Sequence, residues 1–344
     1  MNTFVYSYPT KVYFGQGAAG KALPAELAAA GDTVMLAYGG GSIQKNGIYA
    51  EIAGMLQDMG KTVVDFSGIM PNPTYAKVQE GAALAKQSQV DFILAVGGGS
   101  VIDCCKIIAA QARAEKDLWE MEFTDYQFPA DVIPMGAVVT SYTRSVPRMQ
   151  VLSGAFDTLS HAMETYLGQS DADNVSDDVA LAIMRNTVVN MRRLLKDSDD
   201  MQARGNLMWD SAMAENGILK VGRVTDFQAH QIEHQLGAFT DCNHGQGLAV
   251  IHPAYYRHIL KDAEKKFTRF AQVVFGAETA EAGLQALSDF IQECGLPARL
   301  GQLHSKTAIT PDLLRQVADT CNLIQTNPRP LSRDEIYDIL CECL

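Results

Sequence analysis

The N-terminal part of the chain alternates short apolar, β-prone runs with amphipathic stretches of helical period. Residues 11–15 (KVYFG) read as a strand, 21–31 (KALPAELAAAG) as a helix closed by glycine, and 33–42 (TVMLAYGGGS) as a buried strand ending in a glycine turn. A helix is expected over 48–60, a strand over 62–67 and a helix over 76–89. Residues 91–100 (DFILAVGGGS) repeat the strand and glycine turn, 101–114 return to helical spacing, and 133–141 (IPMGAVVTS) predict one more strand. Such alternation implies a parallel sheet with helices on both faces. After Pro147 the period changes. From Val151 onward no strand pattern occurs, and long amphipathic runs such as SGAFDTLSHAMETYL and DVALAIMRNTVVNMRRLL follow one another, which predicts an all-helical domain. The expected fold is an α/β N-terminal domain, 1–146, joined near Ser145–Pro147 to an all-α C-terminal domain, 147–344. The length of 344 residues agrees, since single cores rarely grow past ~250–300 residues.

Composition narrows the function classes. The net charge is -12 with no block of Lys or Arg, so neither nucleic acid nor an anionic membrane is an expected partner. The opening residues lack a basic stretch followed by an apolar core, and no apolar run is long enough to span a bilayer. The seven cysteines are odd in number and scattered. Cys104-Cys105 and Cys341-x-Cys343 lack zinc-knuckle spacing and read as reduced thiols of a cytoplasmic protein.

Candidate chemistry gathers on a few segments. Asp157 and His161 are four apart and share one helix face, where a carboxylate and an imidazole can hold one side of a divalent cation. His230 opens a second helix-like stretch, with His234 one turn on. His244 follows in an Asn-His-Gly turn. A solvated pair and core histidines are the bland reading. Against it, only seven histidines occur in the chain, and three fall at these spacings. One carboxylate with imidazoles suits Fe(II) or Zn(II) better than Mg(II). Two glycine turns, Gly39-Gly40-Gly41-Ser42 and Gly97-Gly98-Gly99-Ser100, each follow an apolar strand and precede a helix. There the backbone can approach a pyrophosphate. Gly15-x-Gly17-x-x-Gly20 matches a dinucleotide fingerprint only in part, because no acidic residue ends the second strand. Asp103 and Lys106 read either as a surface pair or as groups facing a cofactor.

With these residues in hand, the sequence resembles the iron-containing alcohol dehydrogenases, nearest to their butanol-dehydrogenase-like branch. The resemblance runs almost end to end and includes YGGGSIQKNG, VDFILAVGGGSVIDCCK, SGAFDTLSHAMETYL and HQIEHQLGAFTDCNHGQGLAVIHP. It implies a metal held by Asp157, His161, His230 and His244, with His234 near the nicotinamide. It also implies a pyrophosphate on the loop from Gly97 to Asp103, Thr140 beside the nicotinamide, and an active site in the cleft of a dehydroquinate-synthase-like two-domain architecture. The implied activity is oxidation of short- to medium-chain primary alcohols such as butanol, or reduction of the aldehydes, by a homodimer using Fe(II) or Zn(II). Gly39 in place of an acidic residue, with Ser42 and Lys45 nearby, favours NADP(H) over NAD(H). A glycerol-dehydrogenase-like enzyme and a non-catalytic relative are the rivals. One departure stands out: between Thr143 and Pro147, several dozen residues that such enzymes carry are missing.

Overall fold

The computed structural model describes residues 4–15, 17–125, 127–139, 146–168 and 174–344. Contacts divide the chain into two compact units, Lys11–Thr143 and a second made of Met1–Thr10 with Arg144–Leu344.

The first unit runs α1 (Ala18–Leu27), β1 (Thr33–Tyr38), α2 (Ser42–Lys45), α3 (Ile48–Asp58), β2 (Thr62–Phe66), α4 (Tyr75–Gln87), β3 (Phe92–Val96), α5 (Gly99–Gln111), α6 (Leu118–Glu120) and β4 (Met135–Val138). Its four strands are parallel in the order β2-β1-β3-β4. Consecutive apolar residues along β1 and β3 are buried, as expected where helices cover both faces of a sheet. One apolar cluster joins Met35, Ala37, Ile93 and Ala95 to α4 and α5, and another joins Val34, Leu36 and Leu94 to α1 and α3. Asp91 starts the register, its carboxylate accepting from the Thr33 backbone N–H at 3.0 Å.

The second unit runs α7 (Arg148–Tyr166), α8 (Val175–Lys196), α9 (Met201–Glu215), α10 (Gln228–Thr240), α11 (His244–Ile259), α12 (Glu264–Phe270), α13 (Ala280–Glu293), α14 (Pro311–Thr320) and α15 (Arg333–Glu342). Side-chain caps set several starts: Asn174, Asp200, Thr279, Thr310 and Ser332 each accept from the first helical turn. On α7 the fully buried Leu152, Phe156, Leu159 and Met163 recur every three or four residues, which seats the helix in the core and leaves Asp157 and His161 on its flank. Truncating one such side chain to Ala costs about 2–5 kcal/mol.

Two expectations fail. Residues 11–14 form no strand. Val12, Tyr13 and Phe14 are exposed, and β propensity without a partner strand does not make a ladder. The pattern Gly15-x-Gly17-x-x-Gly20 therefore follows no strand and is not a strand-to-helix phosphate turn. The second failure is the Asn-His-Gly turn. His244 is the first residue of the sixteen-residue helix α11, and Asn243 caps it by accepting from the Gln246 N–H.

Candidate active site

In the first unit, β1 and β3 are neighbours, and Tyr38 pairs in register with Val96. The glycine turns after them therefore lie side by side at the carboxyl edge of the sheet. The strand order reverses there, since β1 leads outward to β2 and β3 to β4. Ligands of open α/β sheets bind at such a switch point. The glycines have different duties. A Cβ on Gly39 would come within 3.1 Å of the Ile69 carbonyl, and one on Gly97 within 2.6 Å of Val101. These two permit close packing. Gly40, Gly98 and Gly99 face open space, and no side chain caps α5 at Gly98. Ser42 opens α2, and Lys45 ends it, exposed. Asp103 forms an exposed ion pair with Lys106 at 3.0 Å, the surface alternative of the sequence reading. Thr140 lies outside the described residues.

In the second unit, three helices bring the metal candidates together. Asp157 and His161 stand on α7, His230 and His234 on α10, and His244 on α11. Asp157 Oδ1 is 3.6 Å from His161 Nε2, 3.5 Å from His230 Nε2 and 3.5 Å from His244 Nε2. Donors on one tetrahedral ion at ~2.0–2.2 Å stand roughly 3.3–3.6 Å apart, so these separations match the edges of a metal site. Asp157, His230 and His244 offer atoms all within 4.8 Å of one another. His161 joins them through Asp157, its ring 4.4 Å from that of His230. Asp157 Oδ1 and His230 Nε2 are buried without hydrogen-bond partners, a cost that an ion removes. The cluster is a metal-binding site.

Glycines make this convergence possible. A Cβ on Gly245 would overlap the Ser153 carbonyl, so its absence lets α11 lie against α7 and carries His244 to Asp157. Gly247 does the same for α10, because a Cβ there would be 2.6 Å from Glu233 Oε1. Phe227 precedes α10 in the left-handed region, with φ 65°. Its ring packs 5.5 Å from His161 and 5.2 Å from His230.

Charges in the cluster oppose burial. Burial works against a charged His230, yet Glu164 and Asp157 raise it to about 9. The same contest, with Asp157 and Glu233 opposing burial, brings His244 to about 10. Burial would raise Asp157, but His230 and His244 hold it well below the usual carboxylate range. Burial, reinforced by His230, pushes His161 down to about 4. Desolvation and the neighbouring His244 lower His234, whose ring stacks on His244 at 5.2 Å.

Sequence reading missed the groups behind the histidines. Glu164 is fully buried, bonds His230 Nδ1 and accepts from the Ala229 N–H at 2.7 Å. Glu233 is buried and bonds His244 Nδ1. Ser160 lies 2.5 Å from His252 Nε2, and burial pushes His252 down to about 4. The available signal was an acidic residue three places after two of the four candidate ligands, in His161-x-x-Glu164 and His230-x-x-Glu233.

Two family models match, iron-containing alcohol dehydrogenase over residues 9–147 and the C-terminal region of the Fe-containing alcohol dehydrogenase family over 151–344. The chain belongs to the iron-containing alcohol dehydrogenases. It is therefore a metal-dependent, NAD(P)-linked alcohol dehydrogenase or aldehyde reductase. A probable NADH-dependent butanol dehydrogenase 1 of Bacillus subtilis is 31% identical, with 99% of each chain covered. The crystal structure of NADH-dependent butanol dehydrogenase A from Thermotoga maritima superposes with a TM-score of 0.92 at 30% identity, covering 100% of this chain and 99% of that one. The NADPH-dependent aldehyde reductase YqhD of Escherichia coli is 28% identical, covering 93% of this chain and 94% of its own.

Proposed function

We propose that Asp157, His161, His230 and His244 hold one divalent ion, Fe(II) or in its place Zn(II), and that the enzyme interconverts short- to medium-chain primary alcohols and aldehydes, butanol and butanal among them. The observation that carries this reading is the meeting of three imidazole Nε2 atoms at 3.5–3.6 Å around Asp157 Oδ1. When bound, the ion acts as a Lewis acid on the substrate oxygen, and the coenzyme carries the hydride. Asp157 supplies one anionic donor and the histidines supply neutral ones, so a dication keeps net positive charge towards the substrate. His234, one turn from His230 and lowered in pKa, is neutral near pH 7. Its free ring nitrogen takes up the alcohol proton in oxidation and returns it in reduction. Phe227 covers one edge of the histidine group with an apolar ring.

The coenzyme occupies the glycine turns after β1 and β3, against Gly40, Gly98, Gly99 and Ser100. NADP(H) is favoured because Gly39, at the end of β1, carries no charge to repel a 2′-phosphate, and Ser42 and Lys45 follow. The butanol dehydrogenases named above are described as NADH-dependent and the aldehyde reductase as NADPH-dependent, so NADH is the competing choice. Exposed apolar side chains from Phe4 to Phe14 support the homodimer reading, and seven free cysteines support a cytoplasmic site. Among the described residues no helix is long and apolar enough to cross a membrane.

The test is anaerobic protein, stripped of metal and reloaded with Fe(II) or Zn(II), assayed with butanal and each reduced coenzyme. Metal-dependent coenzyme oxidation supports the reading. No oxidation with any straight-chain aldehyde overturns it, and preferential oxidation of glycerol establishes the polyol rival.

A further inference from the structure

The metal candidates are not equally supported from behind. His244 presents Nε2 to Asp157 and bonds Glu233 through Nδ1. His230 has the same arrangement with Glu164. For His161 the polar contact among the described residues is Asp157 itself. We propose that Glu233 is a positioning residue of the metal centre: it fixes the proton of His244 on Nδ1, so that Nε2 is free to take the ion.

The inference rests on the metal site proposed above, and three observations with one general principle carry it. Glu233 is only 2% exposed, and a buried carboxylate requires a partner. His244 is the partner its geometry supplies, with the Cys242 thiol a weaker donor at 3.7 Å. A carboxylate on the remote nitrogen fixes the imidazole tautomer and raises the basicity of the ligating nitrogen. Finally, α11 carries Gly247 where any side chain would strike Glu233, with a Cβ only 2.6 Å from its Oε1 and 2.8 Å from its Cγ. The space that Glu233 needs is thus built into the facing helix.

Glu233 also belongs to an overlapping group with His234 and His244 whose donor atoms are mutually close, so direct ligation is the competing role. The unpartnered buried atoms decide between them. Within the two groups they are Asp157 Oδ1 and His230 Nε2, both in the first group, whereas Glu233 is already bonded.

The experiment measures Zn(II) affinity of metal-free protein by competition with a chromogenic chelator, together with the visible spectrum of the Co(II)-loaded form. Glu233→Gln, of equal volume, is expected to weaken Zn(II) about 10–100-fold and to displace the Co(II) bands. Gly247→Ala changes no ligand yet pushes Glu233 aside, so it should weaken Zn(II) as well, and by less once Glu233→Gln is present. His234→Ala should leave Zn(II) affinity unchanged. If Glu233→Gln and Gly247→Ala bind Zn(II) as tightly as the native chain, the positioning role is wrong, even where they melt earlier. Loss of affinity in His234→Ala assigns Glu233 to direct ligation and overturns the proposal. Retention of Zn(II) by His244→Ala is a separate failure, that of the metal site itself.

Discussion

Tyr38 and Val96 end adjacent parallel strands in register, and both are followed at once by glycine turns. This pairing converts two separate sequence motifs into one surface. Gly98 lies on it facing open space, with an ordinary backbone at φ -87°. Gly98→Ala should therefore leave thermal unfolding of the coenzyme-free protein unchanged. It should weaken NADPH binding about tenfold or more, or roughly 1.4 kcal/mol, because the methyl group occupies the phosphate's approach. Fluorescence titration measures it; native affinity in the variant would remove the turn from the site.

Coenzyme choice is better tested at Lys45 than at Gly39. An acidic residue at position 39 would press its Cβ on the Ile69 carbonyl and confuse strain with charge. Lys45→Ala removes a cation from the exposed end of α2. It should weaken NADPH by about tenfold, the scale of a charge-assisted contact, and leave NADH unaffected. Equal losses for both coenzymes would refute a 2′-phosphate contact.

His244→Ala should reduce bound metal from one ion per chain to almost none, because it removes one of four donors and leaves Glu233 without its imidazole. Elemental analysis of anaerobically reloaded protein reads this directly, and full occupancy would refute the ligand set.

Asp210 gives the fold a pH dependence of its own. It lies buried on α9, accepting from Asn186 and Thr187, and burial outweighs both contacts to raise it from 3.8 to about 6. Between those values the folded chain keeps a proton that the unfolded chain releases. Its contribution is therefore complete below about pH 4 and is lost as pH rises through about 6. The change is on the order of 3 kcal/mol. Urea unfolding of metal-free protein should show the native chain losing this much relative to Asp210→Asn between about pH 4 and pH 7. Parallel pH profiles for the two proteins would refute it.

Much of this was legible in the chain because the signals are local. Apolar runs of five or six residues followed by glycines gave β1 and β3, and Asp157-x-x-x-His161 fell on a helix as its spacing requires. What escaped were facts of contact. Residues 11–14 have strand composition, but composition says nothing of a missing neighbour. Gly245 read as part of a turn at His244, whereas it and Gly247 serve helix crossings with Ser153 and Glu233. Glu164 and Glu233 look like ordinary helix formers, and their importance lies in being buried against imidazoles from other helices.

The spread of the ligands over α7, α10 and α11 has a consequence for the chain as a polymer. An ion held there ties together segments ~70–90 residues apart, and closing loops of that length removes unfolded-state entropy worth roughly 4–5 kcal/mol in the cross-link model. The ion thus acts on the second unit as a disulfide would, in a chain whose seven cysteines are all unpaired. The α/β unit contains none of these ligands. Metal supply would then govern the durability of the helical unit through its unfolded state.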